Sequence, residues 1–467
     1  IYLSGDKLFF YWGNGTSKVE FSGPYANIQS SKTGGLDVTS DSISIEGLTA
    51  SSLKLRGNAT IYNSTHSSNA DIDVTNLVIQ NLTQTGGSHS LKATNFEAFD
   101  YILKVGPNFD VTEFELEWPA PSHYYTFDFD GNLTIRDTKF VKSPSTGDKK
   151  FEFENNNNMT LTFSNVTIRL NTTSNNDYTF VFDIFTTGDI RIIDSEISAS
   201  HYRTSTIKLE GSEVLIQNSI IWSGTRTTES GSACYYANSE TTCINAGAHR
   251  YTYTYLTLVA DNLTVEDSDL KATSEMTSTT SNSGSYYYWR KAHTYVDIDV
   301  EYDMEVHDSL ILGYVRNNGI NSQNDDAILD YDITTGNLEV LDSTLMGKRP
   351  AGAEEYSFLT KIESGGGEVD IRESWIGLVS SSGDLEIRGA NNYTLYVSNS
   401  TLRLGVSACL DGYGCNSTYQ NAEAFIDNST VEGHIYIRQL SEAIVINSTI
   451  SGSLSIEQTP DVLIFGN

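Results

Sequence analysis

VHDSLI at 306–311, VLDSTL at 340–345, IRESWI at 371–376 and VSNSTL at 397–402 share one frame. An aliphatic residue is followed by a variable one, an acidic or amide residue, Ser, another variable residue and a second aliphatic. The frame returns as IIDSEI at 192–197, IQNSII at 216–221, VEDSDL at 265–270, IDNSTV at 426–431 and VINSTI at 445–450. Looser copies start at Ile79 (IQNLTQ), Ile135 (IRDTKF) and Phe163 (FSNVTI). Measured at the third position, Asn165, Asp194 and Asn218 are 29 and 24 residues apart. Asp267 follows 49 residues later, a gap that reads as two periods. Asp308, Asp342, Glu373, Asn399, Asn428 and Asn447 then follow at 41, 34, 31, 26, 29 and 19. Self-similarity at such spacing marks a repeat protein built from one supersecondary unit per repeat. The 41-residue gap predicts an insertion.

Around the frame, apolar and polar residues alternate at period 2, as in GEVDIRES at 367–374 and SGSLSIEQ at 451–458. Ile, Val, Leu, Thr and Tyr fill these runs, as strands prefer. FEAFDYILKV at 96–105, followed by Gly106 and Pro107, is the one candidate for a short helix, with a strand as the alternative. Asn and Asp tolerate a left-handed backbone better than other non-glycine residues. One such residue turns the chain by a corner while both flanking strands keep their apolar residues inward. An inward stack mixing Asp, Asn and Glu would bury unpaired charge, so these side chains are expected to point outward.

Strand, corner, strand, turn, strand, repeated, describes one coil of a parallel β-helix. The pattern resembles the right-handed, pectin-lyase-like β-helix superfamily from about Ser42 onward. The resemblance implies an all-β fold, a right-handed parallel β-helix solenoid with irregular loop insertions. Residues 1–41 read as an aromatic-rich end-piece. Residues 42–467 read as the β-helix, with a Tyr-rich, Cys-containing insertion around 222–297. Lyases, hydrolases, adhesins and surface fibres share this fold, so it leaves function open.

Composition narrows the setting. With 29 basic and 60 acidic residues the net charge is −31. Such a surface repels nucleic acid and anionic lipid. No run of about 18 apolar residues is present, so no membrane span is expected. The sequence starts at Ile1 rather than Met, which suggests processing. Cys234 with Cys243, and Cys409 with Cys415, form two close pairs in loop-like stretches. Local disulfides in an oxidising compartment fit these better than zinc sites, because His is scarce nearby. Fourteen Asn-x-Ser/Thr sequons point the same way: Asn14, Asn58, Asn63, Asn81, Asn132, Asn158, Asn165, Asn171, Asn262, Asn392, Asn399, Asn416, Asn428 and Asn447. Together these features predict a secreted, extracellular or cell-surface protein carrying N-linked glycans. Dense sequons on an acidic chain suggest a microbial, archaeal origin.

Candidate functional residues fall in three groups. Tyr251, Tyr253 and Tyr255 alternate along one face, with Tyr286, Tyr287, Tyr288 and Trp289 farther on; they suit sugar stacking, a subunit contact or simple packing. Asn324-Asp325-Asp326 looks like the paired carboxylates of polygalacturonase-type hydrolases. Only Gly433-His434-Ile435 stands where a Gly-His-Gly segment is needed, so no catalytic residue is assigned and an enzyme is the minority reading. Asp128, Asp130 and Asn132, and Asp297, Asp299 and Asp303, have spacings that suit Ca2+, although solvated acidic strands account for both and no cofactor is required. The third group lies at the two ends: Leu8, Phe9, Phe10, Tyr11 and Trp12, and Val462, Leu463, Ile464 and Phe465. Apolar terminal rungs template another chain. The expected function is a structural glycoprotein of a cell-surface filament or coat, its copies joined head to tail. The alternatives are an adhesin or glycan-binding protein, or a diverged polysaccharide lyase or hydrolase.

Overall fold

The computed structural model describes the backbone over 2–84, 89–116, 123–129, 133–142, 149–171, 179–229, 251–278, 290–318, 325–348, 360–379, 385–411 and 423–466, breaks of one to four residues aside. Side chains are described chiefly outside 76–151. The described residues are all-β, without a helix, and their strands pair in parallel. The chain divides into two compact units. One comprises residues 1–172, 180–197 and 209–212, and the other 173–179, 198–208 and 213–467.

In the larger unit, from Tyr251–Glu266 onward, each strand pairs with the strand three places later. Two intervening strands thus serve as the crossover that a parallel pair requires. Strands Asp303–His307, Asn337–Leu341, Glu368–Arg372, Thr394–Ser398, Glu423–Asp427, Glu442–Ile446 and Asp461–Phe465 stack in register. Their inward residues form two columns. One runs Met304, Leu338, Val369, Leu395, Ala424, Ala443, Val462, and the other Val306, Val340, Ile371, Val397, Ile426, Val445, Ile464. All but Val462 and Ile464 are buried. A third column, Leu270, Ile311, Leu345, Ile376, Leu402, Val431, belongs to the strands after the corner and is buried throughout. Each fully buried Val, Leu or Ile contributes about 1.5–3 kcal/mol, so these columns supply most of the cohesion.

The smaller unit also pairs its strands in parallel, there mostly one or two places apart. Leu8, Ala26, Ile43 and Ala59 form one inward column. Phe10, Ile28, Ile45 and Ile61 form another. Deeper in that unit Phe153, Phe163 and Phe182 are fully buried, with Phe153 edge-on to Phe163 at 5.2 Å and 87°. The helix candidate at 96–105 is instead part of the strand His89–Val105. Thirteen of its residues pair in register with Ala70–Gln84, a long parallel contact that decides between the two local possibilities.

The corners behave as the frame predicts. Asp194, Asn218, Asp267, Asp308, Asp342, Glu373, Asn399, Asn428 and Asn447 all have φ between 45° and 52°, and all are exposed. Asn63, Asn158 and Asn165 share that conformation and exposure. The Ser that follows has a role the frame does not disclose. Ser309, Ser343, Ser374, Ser400, Ser429 and Ser448 are buried. The backbone N–H of each donates to the Oγ of the next: Ser309 to Ser343 at 3.0 Å, Ser343 to Ser374 at 3.0 Å, Ser374 to Ser400 at 3.1 Å, Ser400 to Ser429 at 3.2 Å and Ser429 to Ser448 at 3.2 Å. Each Oγ in turn donates to the carbonyl two residues earlier in its own rung, as Ser343 does to Leu341 at 2.6 Å. The corner residue's N–H reaches forward to the next rung, as Asp308 to Leu341 O. The residue after Ser reaches back, as Leu310 to Ser268 O. The hydrogen-bond direction therefore reverses across two residues, and the hydroxyl provides the acceptor that the turned backbone withdraws. Buried N–H groups require such a partner.

Two further findings follow from this ladder. Ser219 N–H donates to Ser268 Oγ at 3.0 Å, and Ile221 pairs with Leu270. The 49-residue gap is therefore one rung with a long insertion, not two periods. In the first 64 residues Gly13 N–H donates to Ser31 Oγ and Leu48 N–H to Ser64 Oγ, both at 3.1 Å. The ladder thus also operates at Ser30-Ser31, outside the frame, and at Ile61-Tyr62-Asn63-Ser64-Thr65, which fits the frame's first five positions.

Two substitutions separate these contributions. Ser343→Ala leaves the buried Ser309 N–H without its acceptor and should cost about 1–3 kcal/mol, read as a lower urea midpoint. Thr344→Ala, one residue on and facing outward, should stay within about 0.5 kcal/mol; equal losses would remove the special role of the hydroxyl. At the corner itself, Asp308→Gly should be tolerated, whereas Asp308→Val, a β-branched residue at φ 49°, should cost about 1–2 kcal/mol or more.

Candidate functional site

The sequons divide by position. Asn63, Asn158, Asn165, Asn399, Asn428 and Asn447 occupy corner slots, exposed and left-handed. In Asn399-Ser400-Thr401, Asn428-Ser429-Thr430 and Asn447-Ser448-Thr449, the middle residue is the buried ladder Ser. The Thr begins the next strand, on its outer side. One tripeptide thus carries both the corner and the sequon. Asn399, Asn428 and Asn447 lie on consecutive rungs, and Asn428 Nδ2 donates to Asn399 Oδ1 at 2.6 Å. Asn14 is exposed, and Asn58 and Asn262 are half-buried. The Nδ2 groups of Asn58 and Asn262 donate to Asp41 O and Glu213 Oε1 respectively. Asn81, Asn132, Asn171, Asn392 and Asn416 lie outside the residues whose side chains are described, as do Cys234, Cys243, Cys409 and Cys415.

The tyrosine strand has the expected alternation. On Tyr251–Glu266, Thr252 and Thr254 are buried, and Tyr253 and Tyr255 face outward, half-buried. Tyr255 stacks on Tyr295 of the next rung with centroids 4.6 Å apart and planes at 7°. Tyr295 also stacks on His293 at 3.7 Å, and His293 Nε2 lies 2.7 Å from Asp330 Oδ2. Burial, then the neighbouring Tyr255 and Asp330, pushes the Tyr295 hydroxyl pKa well above the usual tyrosine range. Burial raises that of Tyr255 as well. These rings turn their faces toward each other along the ladder. Such pairs add about 0.5–1.5 kcal/mol, and the faces they occupy are the ones a sugar ring would stack on. Tyr286, Tyr287, Tyr288 and Trp289 are outside the described residues.

The paired Asp325 and Asp326 begin the strand Asp325–Thr335, with side chains outside the described residues. Asp297 and Asp299 do share an outward face, and Asp303 is exposed at the start of the following strand. Among the described residues no group of three or more His, Cys, Asp or Glu is arranged to hold a metal. Nor is any helix long and apolar enough to cross a membrane.

The apolar residues at 462–465 stand out. Val462 and Ile464 continue columns whose preceding members, Ala443 and Val445, are 0% and 1% exposed; Val462, Leu463, Ile464 and Phe465 are 39–63% exposed. The outer column of the same strands changes character toward this rung. Its middle residues are Glu305, Glu339 and Asp370, then Tyr396, Phe425, Ile444 and Leu463. Tyr396 and Phe425 stack at 5.0 Å and 12°. An acidic stripe therefore gives way to an apolar one over the last four rungs. Aligning the strands at their corners displays this switch in the sequence; reading them singly hides it.

In the smaller unit Leu8 is buried and Phe10 half-buried, both inward, while Phe9 (54% exposed) and Tyr11 (40% exposed) face outward. Trp12 lies outside the described residues. Phe9 packs against Tyr11 and Tyr25 at 6.1 and 5.7 Å. Comparison of the chain with protein-family models, curated proteins and solved structures finds no match.

Proposed function

We propose that this chain is an extracellular structural glycoprotein, a right-handed parallel β-helix of the pectin-lyase-like kind. In this reading it is a subunit of a cell-surface filament or coat whose copies join end to end. Strand pairing at every third place from Tyr251–Glu266 onward supports the coil, since a coil of three strands returns to the same side after three. Parallel crossovers are right-handed in nearly all proteins.

The observation that carries the reading is the row of corner sequons: Asn399, Asn428 and Asn447 stand exposed on consecutive rungs. A head-to-tail contact that does not close into a ring builds a fibre. The corner sequons support the extracellular setting, because they hold Asn outward along a solvent-facing edge. Glycans there would hinder lateral association.

Electron microscopy of the purified chain should show filaments that lengthen with concentration. Ile464→Asp, which introduces a charge into the column contact, should raise the concentration needed for assembly about tenfold or more. Single particles alone at high concentration would refute the assembly reading. For the glycans, Asp342→Asn creates a corner sequon over 342–344 and should add one glycan mass in the native host. Asp308→Asn, followed by Ser309 and Leu310, should add none. A native chain bare at every corner sequon would refute the glycoprotein reading.

A further inference from the structure

Asn399-Ser400-Thr401 and Asn428-Ser429-Thr430 are bound on both sides once their rungs are in place. The Asn N–H groups donate forward, Asn399 to Asp427 O at 3.2 Å and Asn428 to Ile446 O at 3.0 Å. The Ser N–H groups donate to the Oγ of the next rung, Ser400 to Ser429 and Ser429 to Ser448, both at 3.2 Å. The Thr N–H groups donate back, Thr401 to Ser374 O at 2.8 Å and Thr430 to Ser400 O at 2.9 Å. Each tripeptide is thus tied by its three N–H groups to the rungs above and below. Its middle residue is 3–4% exposed.

The acceptor atom is engaged as well. Asn428 Nδ2 donates to Asn399 Oδ1 at 2.6 Å, across adjacent rungs. Glycan transfer forms a bond from Nδ2 to the anomeric carbon of a lipid-linked oligosaccharide. The bond from that carbon to the lipid phosphate breaks, and one Nδ2 proton passes to a base of the transferase. The amide and its flanking backbone must enter the transferase cleft for this step. On assembled rungs the corner would have to leave the ladder, which breaks its backbone bonds and strands buried polar groups. In the unassembled chain no such cost arises. There the two acceptors are 29 residues apart, whereas adjacent rungs bring them within about 4.8 Å.

We propose that the corner sequons receive their glycans before their rungs assemble, so that transfer precedes folding at Asn399 and Asn428. This rests on the glycoprotein reading above and adds the order of events. The finished rung accommodates the product. Both Asn side chains are exposed, at φ 49° and 45°, so a sugar there displaces no inward residue. A glycosylated amide keeps one Nδ2 proton, which leaves Asn428 a donor for Asn399 Oδ1. The same corner thus resists modification after folding and tolerates it beforehand.

Full-length chain made in a host without the pathway carries no glycan and can be offered to an oligosaccharyltransferase and its lipid-linked donor in two states. One sample is folded beforehand, and the other is diluted from urea at the moment of mixing. A synthetic Asn-Ala-Thr peptide in both tubes reports that the transferase is active. Glycopeptide mapping should find Asn399 and Asn428 filled about tenfold or more in the diluted sample relative to the folded one. Equal filling in both would overturn the order while leaving the glycoprotein reading intact. Bare sites in the diluted sample, beside a modified peptide, would overturn both.

Ser429→Ala separates the ladder from general shielding. It leaves Asn428 and Thr430 in a working sequon and removes the acceptor of Ser400 N–H. With circular dichroism matching wild type, filling of Asn399 and Asn428 on the folded variant should rise about fivefold or more. Filling no higher than on folded wild type would overturn the ladder as the block to transfer.

Discussion

A backbone residue held at positive φ and followed by a buried hydroxyl is the constraint on which the rest depends. The left-handed turn alone would strand the next N–H between two rungs. The serine of the following rung supplies an oxygen at 3.0–3.2 Å, and its own O–H donates a hydrogen bond to a carbonyl of its own rung. Each hydroxyl is therefore both acceptor between rungs and donor within one. Apolar columns supply most of the free energy, but such columns tolerate many aliphatic combinations. The polar corner is what sets their register.

Much of this was legible in the sequence. The Asp/Asn/Glu slot was expected to be left-handed and outward, and Asp194, Asp308, Glu373 and Asn447 are all so placed. The parallel all-β architecture followed from period-2 runs between those slots. What escaped has physical causes. Spacing arithmetic assumes rungs of similar length, so the 49-residue step from Asn218 to Asp267 was counted as two. Local pattern gave no decision at 96–105, where a neighbouring strand decides. The serine's role requires knowing which oxygen lies one rung away, and separations of 19 to 49 residues conceal that.

The candidate surfaces were legible unevenly. The aromatic alternation at Tyr253 and Tyr255 was apparent, but a sequence does not say that the faces of Tyr255 and Tyr295 are turned to each other. Ring orientation comes from stacking along the ladder, which no single strand contains. The exposed rung at 462–465 was anticipated from its apolar run. The outer switch from Asp370 to Tyr396 was not, because it runs across strands rather than along one.

Steps of 19 and 49 residues both climb a single rung. Vertical advance is thereby uncoupled from the amount of chain consumed. Enlarging a connection costs an entropy that grows only logarithmically with its size, and the next serine restores the phase whatever intervened. Such a scaffold can acquire new lateral elaborations in evolution without disturbing the periodicity above or below them. Natural variation should therefore accumulate as length differences between corners, while the corners themselves keep time.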